Sequence, residues 1–325
     1  MYLSRVAAMQ AGIPDTTPAM NVNRLCGSGA QAIVSAVQAL MLGDADFALA
    51  GGAENMSRSP YIVPNQRWGA KMGDIRTLDM MLGALNCPFG TGHMGVTAEN
   101  VAAEHDISRA AQDAFALESQ NRAAAAIESG YFDSQITPVD VKVKRDMVPF
   151  LRDEHPKATT AEALAGLRPV FQKDGSVTAG NASGINDGAA AIVLATATAA
   201  DKSGLKPRAR VLGYAHAGVR PEVMGIGPIP AVENLMAKTG LSISDFDVIV
   251  LAILIFSSLS SLFILHYSLQ LEKELAKRPF NKDGVWLFSH DKMVAKCMQK
   301  LKDYCKLHGC THIQIAQFAL ASRVT

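Results

Sequence analysis

The chain has 325 residues, of which 49% are hydrophobic, and this size and apolar content are typical of a globular protein with a sizeable core. Lys and Arg together number 31 and Asp and Glu number 30, which leaves a formal charge of +1. No basic stripe with interleaved aromatic residues occurs in the sequence. The charge pattern therefore predicts no nucleic-acid partner.

The cysteines indicate a cellular compartment. Five cysteines stand at irregular positions, and the chain shows no cleavable signal sequence. This usage is typical of a reducing environment, where thiols stay free for chemistry or packing. We therefore expect a cytoplasmic protein.

The first predicted elements are a helix followed by a strand. Good helix formers with closely spaced apolar positions predict a buried helix over residues 29–42, ending at Gly43. A short apolar run over residues 45–50, closed by Gly51 and Gly52, predicts a strand buried on both faces of a sheet. A helix followed at once by a buried strand favours a layered α/β fold.

Alternation of helix and strand continues along the chain. An N-cap-like serine and apolar residues at helical spacing predict an amphipathic helix over residues 108–129, ending near Gly130. Further apolar runs predict strands over residues 188–196, 208–215 and 245–250. The repeated alternation predicts the α/β fold class.

The chemistry is concentrated in the segment NRLCGSGA, residues 23–30. A cysteine just before a helix faces unsatisfied backbone N–H groups and the positive end of the helix dipole, which favour the thiolate. Glycines on both sides of Ser28 allow a sharp turn and room for N–H groups facing a thioester oxygen. We therefore expect Cys26 to be an activated nucleophile, although a cysteine in this position is also commonly a small buried hydrophobe.

Several segments carry a resemblance to a known family. VNRLCGSGAQAIVSAVQAL and GDADFALAGGAENMSRSPY are followed, in order and spacing, by HMGVTAENVA, LRPVF, DGSVTAGNASGINDGAAAIVLA and MGIGPIPA. Together they resemble thiolases, enzymes that make or cleave 3-ketoacyl-CoA, over residues 1 to about 249. MYLSRVAA and RWGAKMGD most resemble bacterial β-ketothiolases that accept acyl chains longer than acetyl.

The resemblance implies an acetyl-CoA C-acyltransferase in which Cys26 attacks the thioester and holds the acyl group. It implies a coenzyme A thioester as substrate, no cofactor, a dimer or tetramer, and a place in fatty-acid or polyhydroxyalkanoate metabolism. It also implies substrate-binding roles, lining the pantetheine tunnel or covering coenzyme A, for Leu85, His93, Met94, Phe171, Ala179, Ser183, Ile185 and Met224.

Ordinary structural roles for some of these residues remain open. His93 could also be a packing histidine and Met224 plain core filling, although the matched motif favours the tunnel role for both. Ser183 and Asn181 lie in a Gly-Asn-Ala-Ser-Gly setting that also suits a turn.

The resemblance implies a partial thiolase fold with a loop domain inserted in it. Residues 1–55 and 186–207 would form part of the N-terminal domain, residues 56–185 the loop domain, and residues 208–249 the start of the C-terminal domain. The strand–helix–strand unit that opens thiolases has no counterpart in the sequence. Its absence predicts unpaired strand edges and poor solubility.

Three thiolase motifs do not occur in the sequence: Asn-Glu-Ala-Phe, whose Asn holds a catalytic water, Gly-His-Pro, whose His activates the nucleophile, and Cys-x-Gly-Gly, whose Cys acts as acid and base. Each general acid or base contributes about 10²–10⁴-fold to a rate. We therefore expect little or no thiolase turnover from this chain.

Residues 250–325 form a tail without the family's pattern, in which residues 293–306 and 313–321 resemble amphipathic helices. Residues 248–271 carry no formal charge, and this uncharged segment is long enough to span a membrane. Its five serines weaken that interpretation. The alternative is a buried strand continued by unrelated apolar sequence. Four residues could ligate zinc, but their spacing differs from that of structural sites: Cys305, His308, Cys310 and His312.

Two hypotheses of function follow. The chain is either a thiolase-type acyltransferase or a non-catalytic interaction or membrane-tethered protein that retains a thiolase scaffold. Acylation of Cys26 distinguishes the first, and the uncharged run at residues 248–271 distinguishes the second.

Overall fold

The computed structural model describes residues 2–134 and 136–246, and only the backbone of residues 285–288 and 322–324. Its helices are α1 Leu3–Gln10, α2 Ser28–Leu42, α3 Met80–Leu85, α4 Met94–Glu104, α5 Arg109–Glu128, α6 Ala161–Ala165, α7 Ala197–Lys202 and α8 Pro228–Thr239. Short 3-10 helices cover Met56–Arg58, Gln66–Trp68, Pro221–Ile226 and Ile243–Asp245.

The strands are β1 Phe47–Asn55, β2 Tyr61–Ile62, β3 Leu78–Asp79, β4 Asn86–Cys87, β5 Gly92–His93, β6 Val139–Val143, β7 Asp146–Phe150, β8 Asp187–Thr196, β9 Ala209–Val211, β10 Val285–Phe288 and β11 Ser322–Val324. Five of them form one sheet in the order β1-β8-β10-β9-β11, with antiparallel pairing between neighbours. The others form the hairpin-like pairs β2-β3, β4-β5 and β6-β7.

Two helices cover opposite faces of β8. Leu194, fully buried, packs with Ile33 and Val37 of α2, whereas Val193 packs on the other face with Ala200 of α7. Neighbouring side chains of a strand point to opposite faces, so one strand supplies both halves of the core. This helix–sheet–helix arrangement confirms the predicted layered α/β fold.

Helix α2 begins at Ser28, one residue before its predicted start, and ends as its sequence predicts. At its end, Gly43 adopts a left-handed φ of 79°, its N–H donates to Leu40 O, and the N–H of Asp44 donates to Ala39 O. These two bonds form a Schellman motif, which favours glycine. The segment 25–42 is long and apolar enough to cross a membrane by length and composition alone, but α2 packs its apolar residues against β1 and β8.

Strand β1 differs from the prediction in length and in burial. It continues through Gly51 and Gly52 to Asn55, pairing with β8 along its whole length. A Cβ on Gly51 would lie 2.8 Å from Ala190 O, so this glycine permits a close approach to β8 instead of ending the strand. Because β1 lies at the edge of the sheet, most of its residues are exposed or half-buried, and the prediction of burial on both faces was wrong.

The remaining elements agree with the predictions to different degrees. Helix α5 starts after Ser108, whose Oγ accepts from Ala111 N at 3.2 Å, and ends just before Gly130, as predicted. The strand predicted over residues 208–215 is only β9. Of the strand predicted over residues 245–250, Asp245 ends a 3-10 helix, and residues 247–250 lie outside the described residues. The uncharged run, the predicted tail helices and the four cysteine and histidine residues of the tail lie outside the described residues.

Candidate active site

Cys26 lies in a tight turn immediately before α2. Leu25 has a left-handed φ of 50°, which costs energy for a residue with a branched side chain. Backbone hydrogen bonds of 3.0 Å from Gly27 N to Arg24 O and from Ser28 N to Leu25 O close the turn. The turn leaves Cys26 exposed at the surface, where an approaching substrate can reach it.

Side chains fix this turn from within. Ser28 Oγ accepts from Arg24 N at 2.9 Å and donates to Leu25 O at 2.7 Å, while Asn23 Oδ1 accepts from Leu25 N at 2.9 Å. Two side chains of the NRLCGSGA segment, Asn23 and Ser28, therefore hold the backbone on either side of the thiol.

A basic side chain links the turn to the region after β9. Arg24 Nη1 lies 2.9 Å from Gln31 Oε1 and 2.8 Å from Nδ1 of His216. Lys238 stands over the ring of Tyr214, 4.2 Å from its centroid, and Tyr214 is tilted against the ring of His216. Sequence reasoning missed His216, because nothing in its local pattern connects it to residue 24.

The electrostatic setting of Cys26 combines opposing effects on its thiol. Although the residue is exposed, surrounding protein atoms desolvate the thiol and raise its pKa. Its own backbone N–H acts in the opposite direction, and the Glu54 carboxylate raises the pKa further. Burial is the largest of these effects, so the pKa of the thiol lies above its ordinary value.

The coenzyme A side of the predicted site is built around His93 and Phe171. Their rings stack with centroids 4.6 Å apart and an interplanar angle of 16°. His93 is the N-cap of α4, and its Nδ1 accepts from Gly95 N at 3.0 Å, so this nitrogen carries no proton. Burial lowers the pKa of His93, which also favours the neutral ring.

Gly95 makes the stacking geometrically feasible. A Cβ at this position would lie 2.1 Å from Phe171 Cδ2, inside the space that the aromatic ring occupies. Phe171 also packs, with Met224 and Ala182, against the buried pair Ala98 and Val177. The structure therefore brings three of the predicted residues into one cluster: His93, Phe171 and Met224.

The other predicted residues lie on elements around this cluster. Leu85 is the last residue of α3 and is half-buried, and Met94 is the first residue of α4. Ala179 is exposed, Ser183 is half-buried and Ile185 is 60% exposed, all in the loop between Phe171 and β8. Asn181 of the same loop is only 2% exposed, and it forms the turn that its sequence suggested by accepting from Thr178 N at 2.7 Å.

Metal chemistry finds no support in the described part of the chain. Among those residues there is no group of three or more His, Cys, Asp or Glu side chains that could hold a metal ion.

Two family models match the chain. The model described as "Thiolase, N-terminal domain" matches residues 1–198, and the one described as "Thiolase, C-terminal domain" matches residues 205–260. The second match extends past residue 249, where the sequence resemblance was expected to end.

Curated proteins show the same similarity. The chain is 58% identical over 251 residues to "Beta-ketothiolase BktB" of Cupriavidus necator, covering 77% of this chain and 64% of that protein. It is 45% identical over 251 residues to "3-ketoacyl-CoA thiolase, mitochondrial" of Homo sapiens, covering 77% and 63% respectively. The chain therefore spans slightly less than two thirds of these relatives' length.

Solved structures agree with the fold. The human mitochondrial 3-ketoacyl-CoA thiolase matches with a TM-score of 0.76 and 38% identity, over 95% of this chain and 78% of that one. The same human enzyme in complex with CoA matches with a TM-score of 0.73 and 37% identity, over 95% and 77%. The chain belongs to the thiolase family, as the resemblance of its sequence motifs indicated.

Proposed function

We propose that the chain transfers acyl groups between 3-ketoacyl-CoA or acetyl-CoA and coenzyme A through a covalent acyl group on Cys26. The observation that carries this proposal is the exposed thiol held in a strained, hydrogen-bonded turn before α2. The names of the relatives, a β-ketothiolase and 3-ketoacyl-CoA thiolases, supply the substrate class.

The chemistry of the first step needs a thiolate. The Cys26 sulfur attacks the thioester carbonyl, an S–C bond forms, and the bond to the coenzyme A sulfur breaks. The departing coenzyme A thiolate takes up a proton, and the thiol proton of Cys26 goes to solvent or to a base. Because desolvation raises the pKa of the Cys26 thiol, we expect this step to accelerate as the pH rises.

Substrate binding is assigned to the residues around His93 and Phe171. The neutral imidazole and the aromatic ring present a flat apolar surface, and Met224 packs beside the same cluster. Such a surface suits the pantetheine arm, with Leu85, Met94, Ala179, Ser183 and Ile185 around it. A similar protein, the human mitochondrial thiolase, has been solved in complex with CoA, which supports CoA as the ligand class.

Turnover is proposed to be slower than acylation. In the described part of the chain, the side chains hydrogen-bonded within the Cys26 turn are Asn23 and Ser28, neither of which is a base at neutral pH. Without a general base at this turn, abstraction of the α-proton loses roughly 10²–10⁴-fold. Acyl exchange is therefore expected to exceed condensation.

We also propose self-association. Large apolar side chains of the region between β1 and β5 are strongly exposed, among them Trp68 at 81%, Met72 at 99% and Phe89 at 77%. Exposed apolar residues gathered in one region are typical of protein interfaces, and a second copy of the chain is the proposed occupant. Light scattering of the purified chain tests this: a dimer or tetramer is expected, and a monomer would contradict the proposal.

Isotope exchange tests the acyltransferase proposal. The chain is incubated with acetyl-CoA and isotopically labelled coenzyme A, and labelled acetyl-CoA is measured by mass spectrometry. Label is expected to enter acetyl-CoA with the unsubstituted chain and not with Cys26→Ala. Exchange that persists in Cys26→Ala would show that another group carries the acyl chain.

A further inference from the structure

Helix α4 buries a carboxylate that the acyl-transfer chemistry does not use. Glu99 is 7% exposed and stands between Ala98 and Val101, which are themselves buried. A charged side chain on an apolar helix face is expensive unless its oxygens are hydrogen-bonded. Its partners therefore indicate what this position does.

All the hydrogen bonds of Glu99 come from one short segment of the coenzyme A loop. Oε1 accepts from the backbone N–H groups of Ser176 and Val177, each at 2.8 Å. Oε2 accepts from Ser176 N at 2.9 Å and from Ser176 Oγ at 2.7 Å. One carboxylate thus binds two consecutive backbone amides and a hydroxyl, as an anion-binding turn binds its ligand.

Two neighbouring residues support the contact between Glu99 and Ser176. A Cβ on Gly175 would lie 2.3 Å from Glu99 Oε1, so a side chain at residue 175 would displace the carboxylate. Gln112 of α5, 4% exposed, donates from Nε2 to Ser176 Oγ at 2.8 Å. The hydroxyl of Ser176 is therefore held between two helices.

A second buried contact anchors the far side of the same loop. Asn181 Nδ2 donates to Asp113 Oδ1 of α5 and to Ser176 O, both at 3.0 Å. Arg109 pairs with the other oxygen of Asp113 at 2.7 Å. Residues 176–181 are thus fixed to α4 and to α5, immediately before Ser183 and Ile185.

We propose that Glu99 is a positioning residue that holds the loop over residues 174–185 in the conformation that covers coenzyme A. Val177, whose N–H the carboxylate binds, packs directly against Phe171 and Ala182. The hydrogen bond to Val177 therefore fixes the position of the loop relative to the rings of His93 and Phe171. This inference rests on the proposed coenzyme A site. It states that the buried carboxylate of Glu99 keeps the loop of that site ordered.

Glu99→Gln is the variant of choice, because it keeps the shape of the side chain. Because Ser176 N donates to both oxygens, the amide NH₂ faces the Ser176 N–H in either orientation, and the hydrogen bonds that remain lose their charged acceptor. The matched control is Glu118→Gln, which alters an exposed carboxylate of α5. Coenzyme A itself is the probe, and its Kd is measured by titration calorimetry.

The Kd for coenzyme A is expected to rise about tenfold or more in Glu99→Gln, the loss that one charged hydrogen bond represents, and to stay unchanged in Glu118→Gln. Alkylation of Cys26 by iodoacetamide, which does not need the loop, is expected to change less than about twofold in both variants. An unchanged Kd in Glu99→Gln would overturn the proposal. A parallel loss of Cys26 alkylation and of the thermal transition would also overturn it, because Glu99 would then stabilise the whole fold.

Hydrogen exchange separates this inference from the proposed function. In the chain without any ligand, Glu99→Gln is expected to accelerate amide exchange in the peptide that contains residues 174–185 and to leave α2 peptides unchanged. If the unsubstituted chain does not bind coenzyme A, the proposed function fails, while faster exchange confined to this loop still supports the anchoring role. Equal exchange in both proteins would contradict it.

Discussion

Arg24, two residues before Cys26, donates a hydrogen bond from Nη1 to Nδ1 of His216, 2.8 Å away. An arginine cannot accept, so this contact requires the unprotonated Nδ1 of a neutral imidazole. Desolvation, together with the charges of Arg24 and Lys238, lowers the pKa of His216, which agrees with that requirement. The Cys26 turn is therefore tied to the region after β9 by a bond that protonation breaks.

We expect the stability of the chain to fall as the pH drops below about 6.5, the ordinary pKa of histidine. The folded-state pKa values of His93, His155 and His216 are all lowered, so the unfolded chain binds protons first. Their contribution is complete above the unfolded value and is lost as the pH falls toward the folded values.

His216→Gln isolates one part of this effect, since glutamine keeps an acceptor for Arg24 and does not titrate. The drop in Tm between about pH 7.5 and about pH 5.5 is expected to be smaller in this variant, by roughly 1 °C because the bond is exposed. His105→Gln, which alters an exposed histidine, serves as the control. A drop in His216→Gln as large as in the unsubstituted chain would contradict the role of His216.

Glu54→Gln is expected to make Cys26 more reactive. The Glu54 carboxylate raises the pKa of the thiol, so its neutralisation increases the thiolate fraction near neutral pH. The gain is at most about fivefold, equivalent to ~1 kcal/mol for one charge pair in water. Iodoacetamide labelling of Cys26, followed by peptide mass spectrometry, measures it, with Asp44→Asn as the control. A slower reaction in Glu54→Gln would show that the carboxylate aids the thiol.

Gly95→Ala is expected to disturb the coenzyme A cluster. The new Cβ would lie 2.1 Å from Phe171 Cδ2, so the ring must leave its stacked position on His93. Overpacking of this kind costs about 1–3 kcal/mol, and the Kd for coenzyme A should rise with it. Gly83→Ala is the matched control, because a Cβ there meets nothing within 4 Å. Equal urea denaturation curves for the two variants would refute this packing account.

Asp187→Ala is expected to destabilise the junction between β1 and β8. Asp187 is 3% exposed and accepts from Ser57 N at 2.9 Å and from Ser57 Oγ. Removing the carboxylate leaves a backbone N–H without its partner, at a cost of about 1–3 kcal/mol in the free energy of unfolding. Asp201→Ala, on the exposed side of α7, is the control for urea denaturation, and equal midpoints would contradict the prediction.

Local signals predicted the elements whose boundaries depend on neighbouring residues. Gly43 ends α2 and Ser108 caps α5, because the capping bonds join residues three to five positions apart. Gly51 was misinterpreted, since glycine serves both turns and close strand contacts, and only the pairing with β8 distinguishes the two. The edge position of β1 likewise depends on strand pairing and could not be predicted from its local sequence.

The sequence motifs predicted candidate site residues, but the contacts between residues far apart in the sequence were missed. Glu99 and Ser176 are 77 residues apart, and Arg24 and His216 are 192 apart, so no local pattern connects them. Desolvation of the Cys26 thiol, which raises its pKa, depends on what packs around the turn and has no local sequence signal. A charged residue within the apolar segment around Ala98 was the one available signal for Glu99.

The most direct test of the central claim is the site of acylation. The purified chain is incubated with acetyl-CoA at mildly alkaline pH, and the acetyl group is located by intact mass and peptide mapping, with Cys26→Ala as the control. An acetyl group on Cys26, and none in Cys26→Ala, is the predicted result. Failure to acetylate Cys26 in a preparation whose Cys26 reacts with iodoacetamide would contradict its role as acyl acceptor.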